Sequence, residues 1–256
     1  GTYAVMYGIL YVAGMIHPLL RFCLETFFIY QILATKSLKK ESMKVYKKLK
    51  EGDLLGARKE VSYLVGRDTE NLDESEVAKA DVETIAENTA DGVIAPMLFI
   101  ALGGAPFGFA YKAVNTLDSM VAYRNDELIH IGFFSAKMDD ICNFVPARFA
   151  AVMMMLAAFF LRFDFKGAVR IFKRDRFAHF SAQTEAVAAG ALQIQLGGTH
   201  NYFGKAVVKP TIGDAIRPVE YEDIKRTNQL LYVSAFLSMA VCTLITFLIY
   251  VQLFNV

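Results

Sequence analysis

The sequence predicts an all-α, polytopic helical membrane protein with about four or five membrane helices, one pair of them a candidate re-entrant hairpin. Three observations carry this. Mean hydropathy is +0.34, high for a chain that must keep a polar surface in water. Residues 230–251, LLYVSAFLSMAVCTLITFLIYV, are uncharged and, at ~1.5 Å per residue, long enough to cross a ~30 Å hydrocarbon core. The charges almost cancel, 27 Lys and Arg against 26 Asp and Glu over 256 residues, yet they gather in blocks between the apolar runs.

The elements follow in order. Residues 3–16 are apolar but short for a crossing, and 19–35 are apolar apart from Arg21 and Glu25. These two stand i, i+4 and could pair on one helical face. Together the segments read as a helical hairpin turning at His17-Pro18. Residues 36–60 are rich in Lys and Arg, and the positive-inside bias puts them in the cytoplasm. The run 92–110, GVIAPMLFIALGGAPFGFA, is interrupted by Gly103-Gly104-Ala105-Pro106. It is either a full span or two half-helices meeting at a re-entrant turn, which survives only where protein or a wet cavity covers the backbone. Residues 141–161 form another span, with its one charge, Arg148, near an end. A second basic block, Arg162 to Arg176, follows it. The chain reads as one integral membrane domain, 1–256, multi-pass in the inner (cytoplasmic) membrane, with a polar cytoplasmic helical segment at 36–90. It opens at Gly1 inside an apolar run, so the true N-terminus is expected to lie upstream.

The net charge of +1 gives no case for nucleic acid as a partner. Cys23, Cys142 and Cys242 stand singly in apolar runs and read as small buried hydrophobes. There is no CxxC, HExxH, Walker A loop or Rossmann fingerprint, so any nucleotide is bound without a P-loop.

Three polar blocks hold the candidate chemistry. In GRDTENLDESEVAKADVETIAENTAD (66–91), Asp73 or Ser75 is a plausible N-cap. Glu83 and Glu87 are i, i+4, with Asp91 about a turn further. Stacked carboxylates repel unless a cation joins them, which suits Mg²⁺; a solvated acidic face is the competing reading. In the second block, 111–148, Asn115, Asp118 and Ser119 share a face. Tyr123, Arg124 and Asn125 follow, then Lys137, Asp139, Asp140, Asn143 and Arg148. Oxygen ligands beside cations make a reasonable Mg-phosphate site, and polar groups in otherwise apolar helices usually have partners or a task. The third block, 173–214, holds Arg174, His179, the small-residue stretch AVAAGALQIQL, Gly197-Gly198 and Lys209. Its small residues allow close helix packing, and Gly197-Gly198 reads as a helix C-cap and turn or a phosphate-lining pair. A lone histidine such as His179 is more often structural than catalytic.

The series GRDT, ETIAENTADG, NTLDSM, YRN, DD–N–PAR, then RDRFAHFS, EAVAAGALQIQLGG, NYFG and KPTIGD resembles, in order, the adenosylcobinamide-phosphate synthase (cobinamide synthase) family of cobalamin biosynthesis. The stretch HFSAQTEA is shorter than that family's usual loop. The resemblance implies an ATP- and Mg²⁺-dependent acid–amine ligase, with ATP as co-substrate and a corrinoid as substrate. It would join adenosylcobyric acid to 1-amino-2-propanol or its O-phosphate. On that footing Glu87, Asn88, Asp118, Tyr123, Asp140 and His179 are catalytic candidates. Arg67, Asp68, Asn115, Ser119, Arg124, Asn125, Lys137, Asn143, Arg148, Arg174 and Lys209 are candidates for substrate or phosphate binding. Glu83, Glu87, Asp91, Asp118, Asp139 and Asp140 are metal candidates. A membrane complex for nucleotide-loop assembly is a further candidate partner beside the bilayer. Two rival readings stay open: a signalling membrane protein related to the β-lactamase-induction sensor family, and a corrinoid transporter.

Overall fold

The computed structural model describes residues 1–121, 129–178, 182–202 and 204–254. The chain divides into two compact units. Gly1–Ala34, Asp91–Pro146 and Ser238–Val256 form the first; Thr35–Ala90 and Ala147–Leu237 form the second.

The first unit opens with helices α1 (Thr2–Ile16) and α2 (Pro18–Ile32). His17 stands between them in an extended conformation, its Nδ1 accepting the Leu19 N–H at 3.1 Å. Pro18 occupies the first turn of α2, where its missing N–H costs nothing. The hairpin expected at His17-Pro18 is present, and both helices pack on α6 (Ala95–Val121). The Arg21–Glu25 pair is not formed. Glu25 Oε1 instead accepts the Ala105 N–H at 3.4 Å, because a broken helix nearby presents a backbone donor without an intrahelical partner.

That break lies in α6 at Gly103 (φ −150°, ψ 22°) and Gly104 (φ 68°, ψ −165°). A straight helix would hold Asp91 and Tyr111 roughly 30 Å apart. In the structure the Tyr111 hydroxyl donates to the Asp91 carbonyl at 3.3 Å, and the Phe99 and Tyr111 rings stack with centroids 4.9 Å apart. The chain therefore doubles back at Gly103-Gly104, and of the two readings of 92–110 the re-entrant one holds. Among the described residues, three helical runs, Glu74–Met120, Gly132–Phe160 and Glu222–Ile249, are long and apolar enough to cross a membrane. The first does not do so as a rod, since it turns back midway. The other two belong to α7 (Ile129–Phe160) and α10 (Glu222–Phe254). Bulky apolar side chains stand exposed along α1, including Tyr7 and Met15, and along α10, including Phe236 and Phe247; exposed apolar side chains of this kind are suited to lipid.

The second unit contains α3 (Thr35–Lys50), α4 (Leu54–Ser62), α5 (Glu74–Thr89), α8 (Phe165–Asp175) and α9 (Ala182–Leu192). Asp73 starts α5 with a capping box, its side chain and that of Glu76 reciprocally accepting backbone N–H groups. Every residue of α9 except Gln183 is buried. Its small side chains permit the close approach expected of them: a Cβ added at Gly190 would lie 2.5 Å from the Gly167 carbonyl oxygen on α8. Both basic blocks, 36–60 and 162–176, fall in this unit.

One element departs from the expected helices. Strands β1 (Leu196–Tyr202) and β2 (Lys205–Ile212) form an antiparallel hairpin with a register shift between Leu196 and Gly198. Gly197-Gly198 is therefore not a helix C-cap. The turn after α9 is made by Gln193 at φ 59°, and the glycine pair sits at a β-bulge opposite Pro210. A bulge is one of the few places a strand tolerates proline, since no ladder N–H is needed there.

Two outcomes check this geometry. Spin labels at Asp91 and Lys112 should report a separation below about 20 Å, whereas a straight helix would give about 30 Å. Gly104→Ala should destabilise the protein in detergent by about 1–3 kcal/mol, read as a lowered melting temperature, because its Cβ would meet Glu25 Oε1 at 2.6 Å from a left-handed backbone.

Candidate functional site

The second unit contains a polar cavity of about 620 Å³ between the start of α5, the segment before it and the β1–β2 hairpin. That volume falls within the ~300–1,000 Å³ of small-molecule sites. Its walls include Arg67, Asp68, Lys79, Gly197, Gly198 and His200. Lys79 and Glu83 lie one turn apart on α5 and hold the same residue of β1. Lys79 Nζ donates to the Gly197 carbonyl, and the Gly197 N–H donates to Glu83 Oε1 at 2.7 Å. Gly197 has φ 72°, and a Cβ there would stand 2.3 Å from the Pro210 carbonyl oxygen, so only glycine fits. Glu83 Oε2 accepts from Arg67 Nη2 at 2.7 Å, with side-chain exposures of 6% for Arg67 and 13% for Glu83. Arg67 Nη1 lies 2.6 Å from His200 Nδ1. The Asp68 N–H donates to the Asn201 carbonyl at 2.8 Å, and the Gly204 N–H donates to Asp68 Oδ2 at 2.8 Å.

Burial and the neighbouring Arg67 charge push the His200 pKa down to about 4. The imidazole is therefore neutral at pH 7, an acceptor beside two cations. Lys209, paired in register with Gly198, stands over the Tyr202 ring at 5.6 Å. Partial desolvation opposes its charge, but Tyr202, Glu87 and Glu185 outweigh that and raise its pKa. The cavity wall thus places the cationic side chains of Arg67 and Lys79 beside Gly198; Arg67 is paired with Glu83, and burial holds the Lys79 pKa below its ordinary value.

The first unit carries a second cluster, a buried polar relay between α6 and α7. The Tyr111 hydroxyl donates to Asn143 Oδ1 at 2.9 Å. Asn143 Nδ2 donates to Asp139 Oδ2 at 2.9 Å, and Asn115 Nδ2 approaches Asp139 Oδ1 at 3.4 Å. Tyr111, Asp139 and Asn143 are all buried. Asp91 meets this cluster through its carbonyl. It lies in a π-helical turn, Ala90–Ile94, which takes it off the α-helical period that Glu83 and Glu87 share. Asp140 pairs with Lys137 at 3.3 Å, and Ser119 bonds back to the Asn115 carbonyl at 2.9 Å. Asp118 is half-buried on the same helix as Asn115.

The remaining candidates are placed as follows. Asn88 Nδ2 bonds to the Thr84 carbonyl at 3.0 Å, and Arg148 is half-buried on α7. The Arg174 guanidinium is engaged three times, with Asp175 at 2.6 and 2.8 Å and Asp214 at 2.7 Å. Tyr123, Arg124, Asn125 and His179 lie outside the described residues. Among the described residues, no three His, Cys, Asp or Glu side chains converge on a metal position, and both oxygens of Glu83 are taken. Sequence reasoning missed Lys79, His200 and Tyr111. The i, i+4 spacing of Lys79 and Glu83 was readable, but their shared partner, Gly197, lies 118 residues from Lys79 and 114 from Glu83.

The buried pair and the depressed histidine each give a measurable outcome. Glu83→Ala leaves Arg67 without its carboxylate partner and should cost about 3–5 kcal/mol, read by thermal melting, whereas Glu70→Ala on the exposed surface should cost almost nothing. The unfolded chain binds a proton at His200 near its ordinary value of 6.5 and the folded one only near 4. Its share of stability is therefore full above pH 6.5 and lost as pH falls towards 4. His200→Gln should flatten that acid limb; a limb of unchanged slope would contradict the assignment.

Comparison with known proteins adds the family. A family model described as "CobD/Cbib protein" matches residues 1–231. The cobalamin biosynthesis protein CobD of Clostridium perfringens is 50% identical over 247 residues, covering 95% of this chain and 78% of the relative. CobD of Streptococcus sanguinis is 49% identical over 240 residues (93% and 76%), and CbiB of Salmonella choleraesuis is 47% identical over 242 residues (93% and 76%). No solved structure matches. The buried relay, the glycine-lined groove and the re-entrant turn are thus features of a chain that belongs to the CobD/CbiB family of cobalamin biosynthesis.

Proposed function

We propose that the chain is an ATP- and Mg²⁺-dependent acid–amine ligase of the cytoplasmic membrane. It would join adenosylcobyric acid to 1-amino-2-propanol or its O-phosphate and release adenosylcobinamide or its phosphate. Family membership supports the pathway. The observation that carries the reaction type is the groove itself: a polar cavity of about 620 Å³ with Arg67 and Lys79 in its wall and positive-φ glycines at 197, 198 and 204.

The chemistry asks for such a site. A carboxylate acylates an amine only after its oxygen is converted into a leaving group, and phosphoryl transfer to it succeeds by positioning and charge neutralisation. Arg67 and Lys79 present cationic N–H donors for phosphate oxygens, Arg67 already paired with Glu83 and Lys79 lowered in pKa by burial, and Lys209 adds a third cation at the hairpin. Neutral His200 adds no charge, and its one acceptor nitrogen faces Arg67 Nη1. Glu87, close enough to influence Lys209 electrostatically, is the groove's candidate for taking the proton from the attacking ammonium.

The donor chemistry fits Mg²⁺, which prefers oxygen ligands and usually keeps water and substrate phosphates, needing only one or two carboxylates from protein. Glu87 in the second unit and, separately, Asp118, Asp139 and Asp140 in the first are the carboxylate candidates for it; Glu83 is committed to Arg67 and Gly197. When bound, the ion would neutralise phosphate charge. Both basic blocks would face the cytoplasm.

The test incubates protein in detergent with adenosylcobyric acid, aminopropanol phosphate, ATP and Mg²⁺, with mass spectrometry of the corrinoid. Amide product requiring both ATP and Mg²⁺ is expected. No product and no corrinoid binding would favour the signalling or transport readings. Alanine at Asp118 or Asp140 should abolish turnover in a folded protein, and unchanged turnover in both would end the metal assignment. Lys79→Gln should raise KM for ATP by roughly 10-fold or more, the scale of one lost charge-assisted contact.

A further inference from the structure

Helix α8 presents a face that the ligase chemistry does not use. Gly167, Ala168 and Ile171 are buried, with α8 packed on α9. The opposite face carries Lys166, Arg170, Lys173 and, just past the helix end, Phe177, all exposed and spaced so that they form one stripe. Arg162, also exposed, stands just ahead of the helix at φ 59°. Arg170 is neutralised by Asp214 at 3.1 Å. Arg162, Lys166 and Lys173 form no ion pair among the described residues.

Aromatic rings interleave with these charges. Phe177 is 72% exposed and Phe165 37%. The stripe also continues a membrane-crossing run: α7 ends at Phe160, Phe159 and Phe160 are 60% and 63% exposed, and the Phe159 ring meets Phe165 edge-on at 5.8 Å. Water solvates the ammonium groups but not the exposed rings. The headgroup boundary of a bilayer accommodates both, rings at the acyl edge and cations among phosphates.

We propose that this face of α8 is an interfacial anchor that binds anionic phospholipid headgroups of the membrane the protein spans. Arg162, Lys166 and Lys173 contact the phosphates, with Phe165 and Phe177 seated beside them. A soluble phosphate would use the cations but leave the rings in water, and the continuity with α7 places the stripe at the end of a span. Juxtamembrane cations of this kind act additively on anionic lipid. Loss of three should weaken binding by on the order of 100-fold.

The test uses the full chain in neutral detergent. Melting temperature is followed on adding phosphatidylglycerol, phosphatidylcholine or inorganic phosphate, and retained lipid is counted by native mass spectrometry. The parent protein should be stabilised by phosphatidylglycerol alone and should retain it. Combined Arg162→Gln, Lys166→Gln and Lys173→Gln should reduce both effects to the phosphatidylcholine level. Equal stabilisation by phosphatidylcholine, substitution by inorganic phosphate, or an unchanged response in the triple variant would overturn the proposal. Should that variant fail to fold, the parent protein still decides: raising ionic strength should release phosphatidylglycerol, and salt-insensitive retention would overturn it.

Discussion

Two side chains on one turn of α5 take hold of both ends of a single peptide residue, and the groove depends on that grip. Lys79 binds the Gly197 carbonyl and Glu83 its N–H. At a β-bulge the ladder leaves backbone groups without strand partners, and buried unpaired groups are costly. Helix α5 meets that need and thereby fixes the hairpin as the groove's wall. Glu83 spends its other oxygen on Arg67, so the buried carboxylate is compensated twice. A buried ion pair is weak evidence of net stability, but here it determines where a strand lies.

The first unit rests on a different constraint. Gly103-Gly104 lets the chain double back, and polar groups can then collect at depth because neighbouring helices cover them. The relay from Asn115 through Asp139 and Asn143 to Tyr111 and the Asp91 carbonyl draws on α6, α7 and the π-turn. Such a turn removes one carbonyl from the α-helical pattern and leaves it available to a side chain, which is how the Tyr111 hydroxyl finds it.

The apolar runs foretold the helices because span length and charge exclusion are local properties. The His17-Pro18 turn, the Asp73 cap and the small-residue packing of α9 were legible for the same reason. The β-hairpin was not, since its strands are short, glycine-rich and largely exposed, with little alternation to betray them. The fate of 92–110 stayed open because a double glycine licenses a kink or a reversal equally, and contacts such as Phe99 with Tyr111 decide between them. Among the site residues, the carboxylates and amides of 115–143 announced themselves as polar groups in apolar helices. Glu83 was read as a metal candidate because spacing shows which residues share a face but not what lies opposite. Arg174 was read as a substrate- or phosphate-binding candidate for the same reason, and one of its carboxylate partners, Asp214, lies 40 residues on.

The groove's role turns on where nucleotide binds. A photoreactive ATP analogue would be crosslinked to the purified protein in the presence of Mg²⁺ and the labelled peptides mapped. Labelling within residues 67–79 and 195–211, competed by ATP and lost in Lys79→Gln, is expected if the groove holds the nucleotide. ATP-competed labelling confined to other segments, with none along the hairpin, would contradict it.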